Sequence, residues 1–148
     1  MSQPGQCPIC ALGRGGEDTA SQVIYEDDFW VVRHSKETNI LGYVVLASRR
    51  HFLDLSEATD AETGSYGKVL GTTMRAVRRV TSCQRVYTFS LGEAVPHFHV
   101  HIIPRTASLP RAYRGRGIMS YPVVPPADPA LLAETSDRLR RVIARYHS

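Results

Sequence analysis

Between Pro96 and Arg105 the chain reads PHFHVHIIPR. His97, His99 and His101, half of the six histidines in the sequence, stand at alternate positions with an apolar residue after each. Imidazole has an unperturbed pKa near ~6.5, so at neutral pH it is a nucleophile, a base and a metal ligand. Alternation is the period of a strand. On a strand the three histidines share one face, while Phe98, Val100 and Ile102 point into the core. Same-face neighbours lie ~6.6 Å apart and the outer pair ~13 Å, at ~3.3 Å per residue. Zinc binds nitrogen at ~2.0–2.1 Å. Two neighbours can lean onto one ion, but three on a flat strand cannot, so the row must divide its work.

A second group of reactive residues lies at the other end. Cys7 and Cys10 form C-x-x-C, and Cys83 stands apart. In an intracellular chain such a pair is more often a metal or redox device than a disulfide. Cys83 reads as an ordinary helix-end cysteine.

The elements that hold these groups are legible in outline. After CPIC comes a Gly-rich polar loop, ALGRGGEDTAS. Strands are predicted at 22–25 and 29–34, turning at Glu26-Asp27-Asp28, and at 42–48, which is apolar on both sides and therefore central. Thr59-x-x-Glu62 is a capping box, predicting a helix to about Thr81. Tyr66, Leu70, Thr73, Val77 and Val80 give that helix one packing face. Gly64, Gly67 and Gly71 weaken it by up to ~1 kcal/mol each relative to Ala, and would permit close approach to a sheet. Strands follow at 85–91 and 97–103, the last stopped by Pro104. Residues 105–129, rich in Arg, Gly and Pro, read as loop. Asp128-Pro129 resembles an N-cap with proline at the first helical position. It opens a helix over about 129–146 striped by Leu132, Thr135, Leu139, Val142 and Tyr146.

A length of 148 residues fits a single domain with one core. The 43% apolar content excludes wholesale disorder. No apolar run approaches the ~18–20 residues that span a bilayer. The first residues, MSQPGQCPIC, lack the pattern of a secretory signal, so a cytoplasmic location is expected. The net charge of +4, with 18 Lys and Arg against 14 Asp and Glu, suits an anionic partner without arguing for nucleic acid.

The stretch HFHVHIIPR resembles the histidine triad (HIT) family pattern of three histidines alternating with apolar residues. GEAVPH, from Gly92 to His97, is similar to the family's lead-in to that motif. VIYEDDFWVV resembles its early hairpin, and GYVVLASRRH its central strand. The resemblance runs from about Cys7 to Arg105. It implies an α+β fold with an antiparallel sheet of about five strands packed with helices, usually a two-fold homodimer. It also implies hydrolysis or transfer of nucleotidyl groups from dinucleoside polyphosphates, nucleoside phosphoramidates and related compounds.

By that resemblance His99 is the nucleophile that forms a covalent nucleotidyl-histidine, and His101 bonds phosphate oxygens or assists the leaving group. A carbonyl of a neighbouring strand is the expected partner of the second His99 nitrogen. Ser90 and the backbone at Gly92 would complete the phosphate pocket, with Glu93 and His34 at the substrate. Zinc-containing members bind the ion through an N-terminal C-x-x-C, a histidine after the central strand and the first triad histidine. Here those are Cys7, Cys10, His51 and His97, a set of the closed structural type. No organic cofactor is implied.

Some positions depart from the pattern. Glu93 replaces a usual Gln and Ala94 a Ser or Thr, His34 stands near a usual Asp, and Tyr43 replaces a common His. A carboxylate beside phosphate is repulsive unless paired or protonated. Two readings stand for Arg105 to Arg116: a cover for polyphosphate with Tyr113 on a base, or a solvated loop. A nucleotide-binding module with little turnover is the alternative to the enzyme. A nucleic-acid end-processing role is disfavoured by the mild charge.

Overall fold

The computed structural model describes residues 4–13 and 22–147. Most of the Gly-rich loop therefore lies outside the described residues. Its first residues belong to a short helix, α1 (Pro8–Gly13), that the sequence reading did not anticipate.

A five-stranded antiparallel sheet runs in the order β1-β2-β3-β5-β4. The strands are β1 (Val23–Glu26), β2 (Trp30–His34), β3 (Val44–Ser48), β4 (Arg85–Phe89) and β5 (His99–Arg105). β3 is central as expected. Helix α2 (Asp60–Thr81) lies between β3 and β4 in sequence, and α3 (Pro129–Tyr146) closes the chain. Both predicted caps are present. Thr59 and Glu62 bond each other's backbone N–H, and the Asp128 side chain accepts from the Ala130 N–H.

The core fills the space between one sheet face and α2. Trp30, Val32, Leu46, Val100 and Ile102 form its floor, with Val69, Ala76 and Val77 of α2 above. Trp30 is fully buried, and its indole N–H donates to Ser65 Oγ at 2.9 Å. The buried face of α2 is rotated from the predicted stripe toward Val69, Thr72, Thr73 and Ala76, because α3 packs on its flank and covers a second side. Tyr146, read as part of the α3 stripe, is exposed, whereas Ile143 is buried. The glycines of α2 do not mediate close packing: a Cβ at Gly64, Gly67 or Gly71 would meet nothing within 4 Å.

β5 starts and ends later than predicted. It begins at His99, leaving His97 just before the strand, and runs through Pro104. Pro104 pairs with Val86 of β4, beyond the last β3 partner, where Ile102 faces Val44. A missing N–H is tolerated there because no third strand needs it.

The segment 105–129 is loop with two 3-10 turns, Arg111–Tyr113 and Gly115–Ser120. It covers a second apolar cluster of Ile103, Leu109 and Ile118 on the opposite sheet face. Tyr113 packs edge-on to Tyr121 with ring centroids 5.1 Å apart, and Arg114 bonds the carbonyls of Leu109 and Ala107. Both residues brace the loop, while Arg111 and Arg116 are exposed.

Candidate functional site

The register of β5 sets the site. His99 lies opposite Ala47, and His101 lies between Val45 and Phe89. Both rings project from the face opposite the α2 core, 5.0 Å apart between centroids. His99 is nearly buried, at 9% exposure. Its Nδ1 lies 2.6 Å from the His97 carbonyl, two residues back in its own chain rather than on a neighbouring strand. A carbonyl only accepts, so Nδ1 carries the proton and Nε2 keeps its lone pair. The Ser90 hydroxyl donates to the His99 carbonyl at 2.7 Å. Ser90 thus holds the strand bearing His99.

His101 Nδ1 lies 2.7 Å from the Tyr43 hydroxyl, and the ring stacks on Phe89 at 4.7 Å. Burial, reinforced by His99, pushes the His101 pKa down to about 4. Burial pushes the Tyr43 phenol up to about 12. Both groups are neutral at pH 7. When Tyr43 donates to Nδ1, His101 Nε2 carries the ring proton and is a hydrogen-bond donor.

The first histidine faces elsewhere. Cys7, Cys10, His51 and His97 bring one ligand atom each within 4.8 Å of one another. His97 Nδ1 is 3.4 Å from Cys7 Sγ, 3.5 Å from Cys10 Sγ and 3.2 Å from His51 Nδ1, and His51 Nδ1 is 3.4 Å from Cys10 Sγ. A tetrahedron with Zn–N of ~2.0–2.1 Å and Zn–S of ~2.3 Å has edges of ~3.3–3.8 Å. These four separations, 3.2–3.5 Å, lie close to that range. His97 Nε2–H donates to the Ser48 carbonyl at 2.7 Å, which leaves Nδ1 deprotonated as a ligand requires. Helix α1, begun by Pro8, is what sets Cys7 and Cys10 on one side of the group.

Helix α1 also roofs a cavity of about 280 Å³ on the triad face, close to the lower end of small-molecule pockets. Ile9 and Leu12 form its roof, and Arg33, Val45 and Ala47 its floor. Val45 and Ala47 are the cross-strand neighbours of His101 and His99, so the cavity lies on the same sheet face, one strand away from those two histidines. The i, i+3 spacing of Ile9 and Leu12 was the available signal for this wall, but a six-residue helix is too short to announce itself.

The remaining expected substrate residues divide. Gly92 has φ of +74°, a left-handed conformation that favours glycine and turns the chain toward His97. Glu93 is exposed at that turn. His34 borders the α1-roofed cavity, but both of its ring nitrogens are engaged within the protein. It is buried, its Nδ1–H donates to the Ser35 carbonyl at 2.8 Å, and its Nε2 accepts from the Gly42 N–H at 2.9 Å. It pins the β2–β3 turn.

The HIT domain family model matches residues 17–108, well over half of the chain. The protein therefore belongs to the HIT domain family. Solved structures agree on the fold. A Hit-like protein involved in cell-cycle regulation from Bartonella henselae, solved with an unknown ligand, aligns with TM-score 0.72 and 18% identity over 95% of this chain and 99% of that one. A Zn-bound histidine triad family protein from Mycobacterium smegmatis gives TM-score 0.69 and 20% identity over 97% and 96%. A hypothetical histidine triad nucleotide-binding protein from Sulfolobus tokodaii gives TM-score 0.66 and 18% identity over 84% of each chain. No curated protein sequence matches. No helix among the described residues is long and apolar enough to cross a membrane.

Proposed function

We propose that this HIT protein is a nucleotidyl hydrolase or transferase acting at the α-phosphate of a nucleotide through a covalent nucleotidyl-histidine at His99. The supporting observation is the 2.6 Å bond from His99 Nδ1 to the His97 carbonyl, which in the neutral ring leaves the lone pair on Nε2. With the base in the α1-roofed cavity, the phosphate lies over His99 and His101. Nε2 attacks phosphorus, an N–P bond forms, and the bond to the leaving group breaks with its electron pair. The His97 carbonyl stabilises the positive ring that results. His101 Nε2–H bonds a phosphate or leaving-group oxygen as charge develops there. Water or another acceptor then displaces His99 and releases the nucleotide. Ser90 and Gly92 act as positioning residues at the turn into β5.

Cys7, Cys10, His51 and His97 would hold a zinc ion. With four protein ligands the ion has no open position and serves structure. It would clamp α1, and so the cavity roof, to the start of β5. A homodimer, as the sequence resemblance implies, and a cytoplasmic location, as the first residues lead one to expect, complete the reading.

The test is intact-mass and product analysis of wild type and His99→Ala with diadenosine tetraphosphate and with adenosine phosphoramidate. Mononucleotide release by wild type alone, with a nucleotidyl adduct at early times, is expected. Binding without adduct or product would overturn the enzyme reading in favour of a nucleotide-binding module.

A further inference from the structure

The α1 roof of the cavity is aliphatic, while Val45 and Ala47 share the rest of its lining with polar residues that include Gln22, Lys36 and Glu37. Arg33 lies on the floor, in the cross-strand row Arg33, Val45, His101, Phe89. It also borders the adjoining cavity of about 320 Å³, whose lining includes Ile9, Cys10, Val31, Glu26 and Arg49. Its Nε is buried and has no hydrogen-bond partner. Glu26 acts on Arg33 through space but bonds Arg49 instead, at 3.4 Å. A buried guanidinium N–H without an acceptor is costly, and native folds retain such groups where something else satisfies them.

We propose that Arg33 is a specificity-determining residue that selects 6-oxopurine nucleotides, guanine or hypoxanthine, over adenine. This rests on the reading that a nucleotide occupies the site. Guanidinium presents paired N–H donors in one plane, and the O6 and N7 edge of a 6-oxopurine presents two acceptors at matching spacing. Adenine has the same N7, but its 6-amino group is a donor and would face the guanidinium donor to donor. The flat ring packs against Ile9 and Leu12 above and Val45 and Ala47 below. The sheet row then runs from base to phosphate, with Arg33 two strands from His101.

The experiment is calorimetric titration of the full-length protein with GMP, IMP and AMP, for wild type, Arg33→Met and Arg33→Lys. Arg33→Met keeps the length and apolar packing of the stem, and a thermal melt of each variant checks folding. GMP and IMP are expected to bind wild type about tenfold or more tightly than AMP, the discrimination typical of one bidentate arginine–base pair. Arg33→Met should abolish that difference by weakening GMP and IMP, and Arg33→Lys should restore it only partly, since ammonium lacks the fork. Equal or tighter binding of AMP to wild type would overturn the inference, as would a preference that survives Arg33→Met. A uniform loss for all three nucleotides would also overturn it, showing attraction to phosphate instead. If all bind alike and His99-dependent turnover persists, the selectivity inference alone fails. If none binds, the reading of the site fails with it.

Discussion

On one side of β5, Phe98, Val100 and Ile102 are buried against Trp30, Leu46 and α2. On the other, His99 and His101 are held by a carbonyl, a tyrosine hydroxyl and a phenylalanine ring. One backbone serves both sides, since side chains alternate along a strand. The core side is held by many weak contacts, none decisive. The triad side is held by a few directional bonds, each fixing one proton. Substitutions on the two sides should therefore fail in different ways.

His99→Ala carries the largest expected effect: turnover falls by about 10³-fold or more, as for loss of a covalent nucleophile, while the melting temperature barely moves. Parallel kinetics and thermal melts check this, and a large drop in melting temperature would blur the division between the sides. Leu46→Ala, in the floor of the core, should do the reverse. It should cost about 2–5 kcal/mol of stability by leaving a cavity, with kcat per folded molecule retained. Urea denaturation measures the first quantity and active-site-normalised assays the second.

Cys10→Ala tests the corner where the two sides meet. Zinc at a hundred times its Kd should add about 2.7 kcal/mol to the stability of wild type and little to the variant, read by melts with and without the ion. Protonation sharpens the contrast further. The His101 pKa is held near 4 against an ordinary value of 6.5, so between those values the unfolded chain binds the extra proton and the folded one does not. That contribution is complete above about pH 6.5 and is lost as the pH falls toward 4. The stability of wild type should therefore decline more steeply over that window than that of His101→Gln. Gly67→Ala should have the smallest effect, raising stability by up to ~1 kcal/mol, because it lies in mid-helix with open space around it.

Much of this was readable in the sequence, for local reasons. The triad alternation, both helix caps and the Cys7–Cys10 spacing are short-range patterns, and five strands followed from β-branched runs. The C-x-x-C and two distant histidines meet as the resemblance implied. What was not readable depends on neighbours far along the chain. That Pro104 continues a strand depends on where β3 begins. His34 is occupied because Gly42, eight residues on, supplies an N–H. The partner of His99 was sought across the sheet, yet the chain bends back at His97 before the strand begins. Arg33 read as one more arginine among sixteen, since its burial is visible only once α1 is laid over the sheet.

The group that orients His99 is the main-chain carbonyl of His97, while the side chain of His97 gathers with Cys7, Cys10 and His51. Every amino acid carries that carbonyl, so no substitution at position 97 deletes it. The orientation of His99 and the place in the Cys7, Cys10, His51 group are thus written into one residue in separable parts. A lineage or an engineer could exchange the side chains of that group and still inherit His99 with its proton on Nδ1, provided the turn from Gly92 to Phe98 keeps its path.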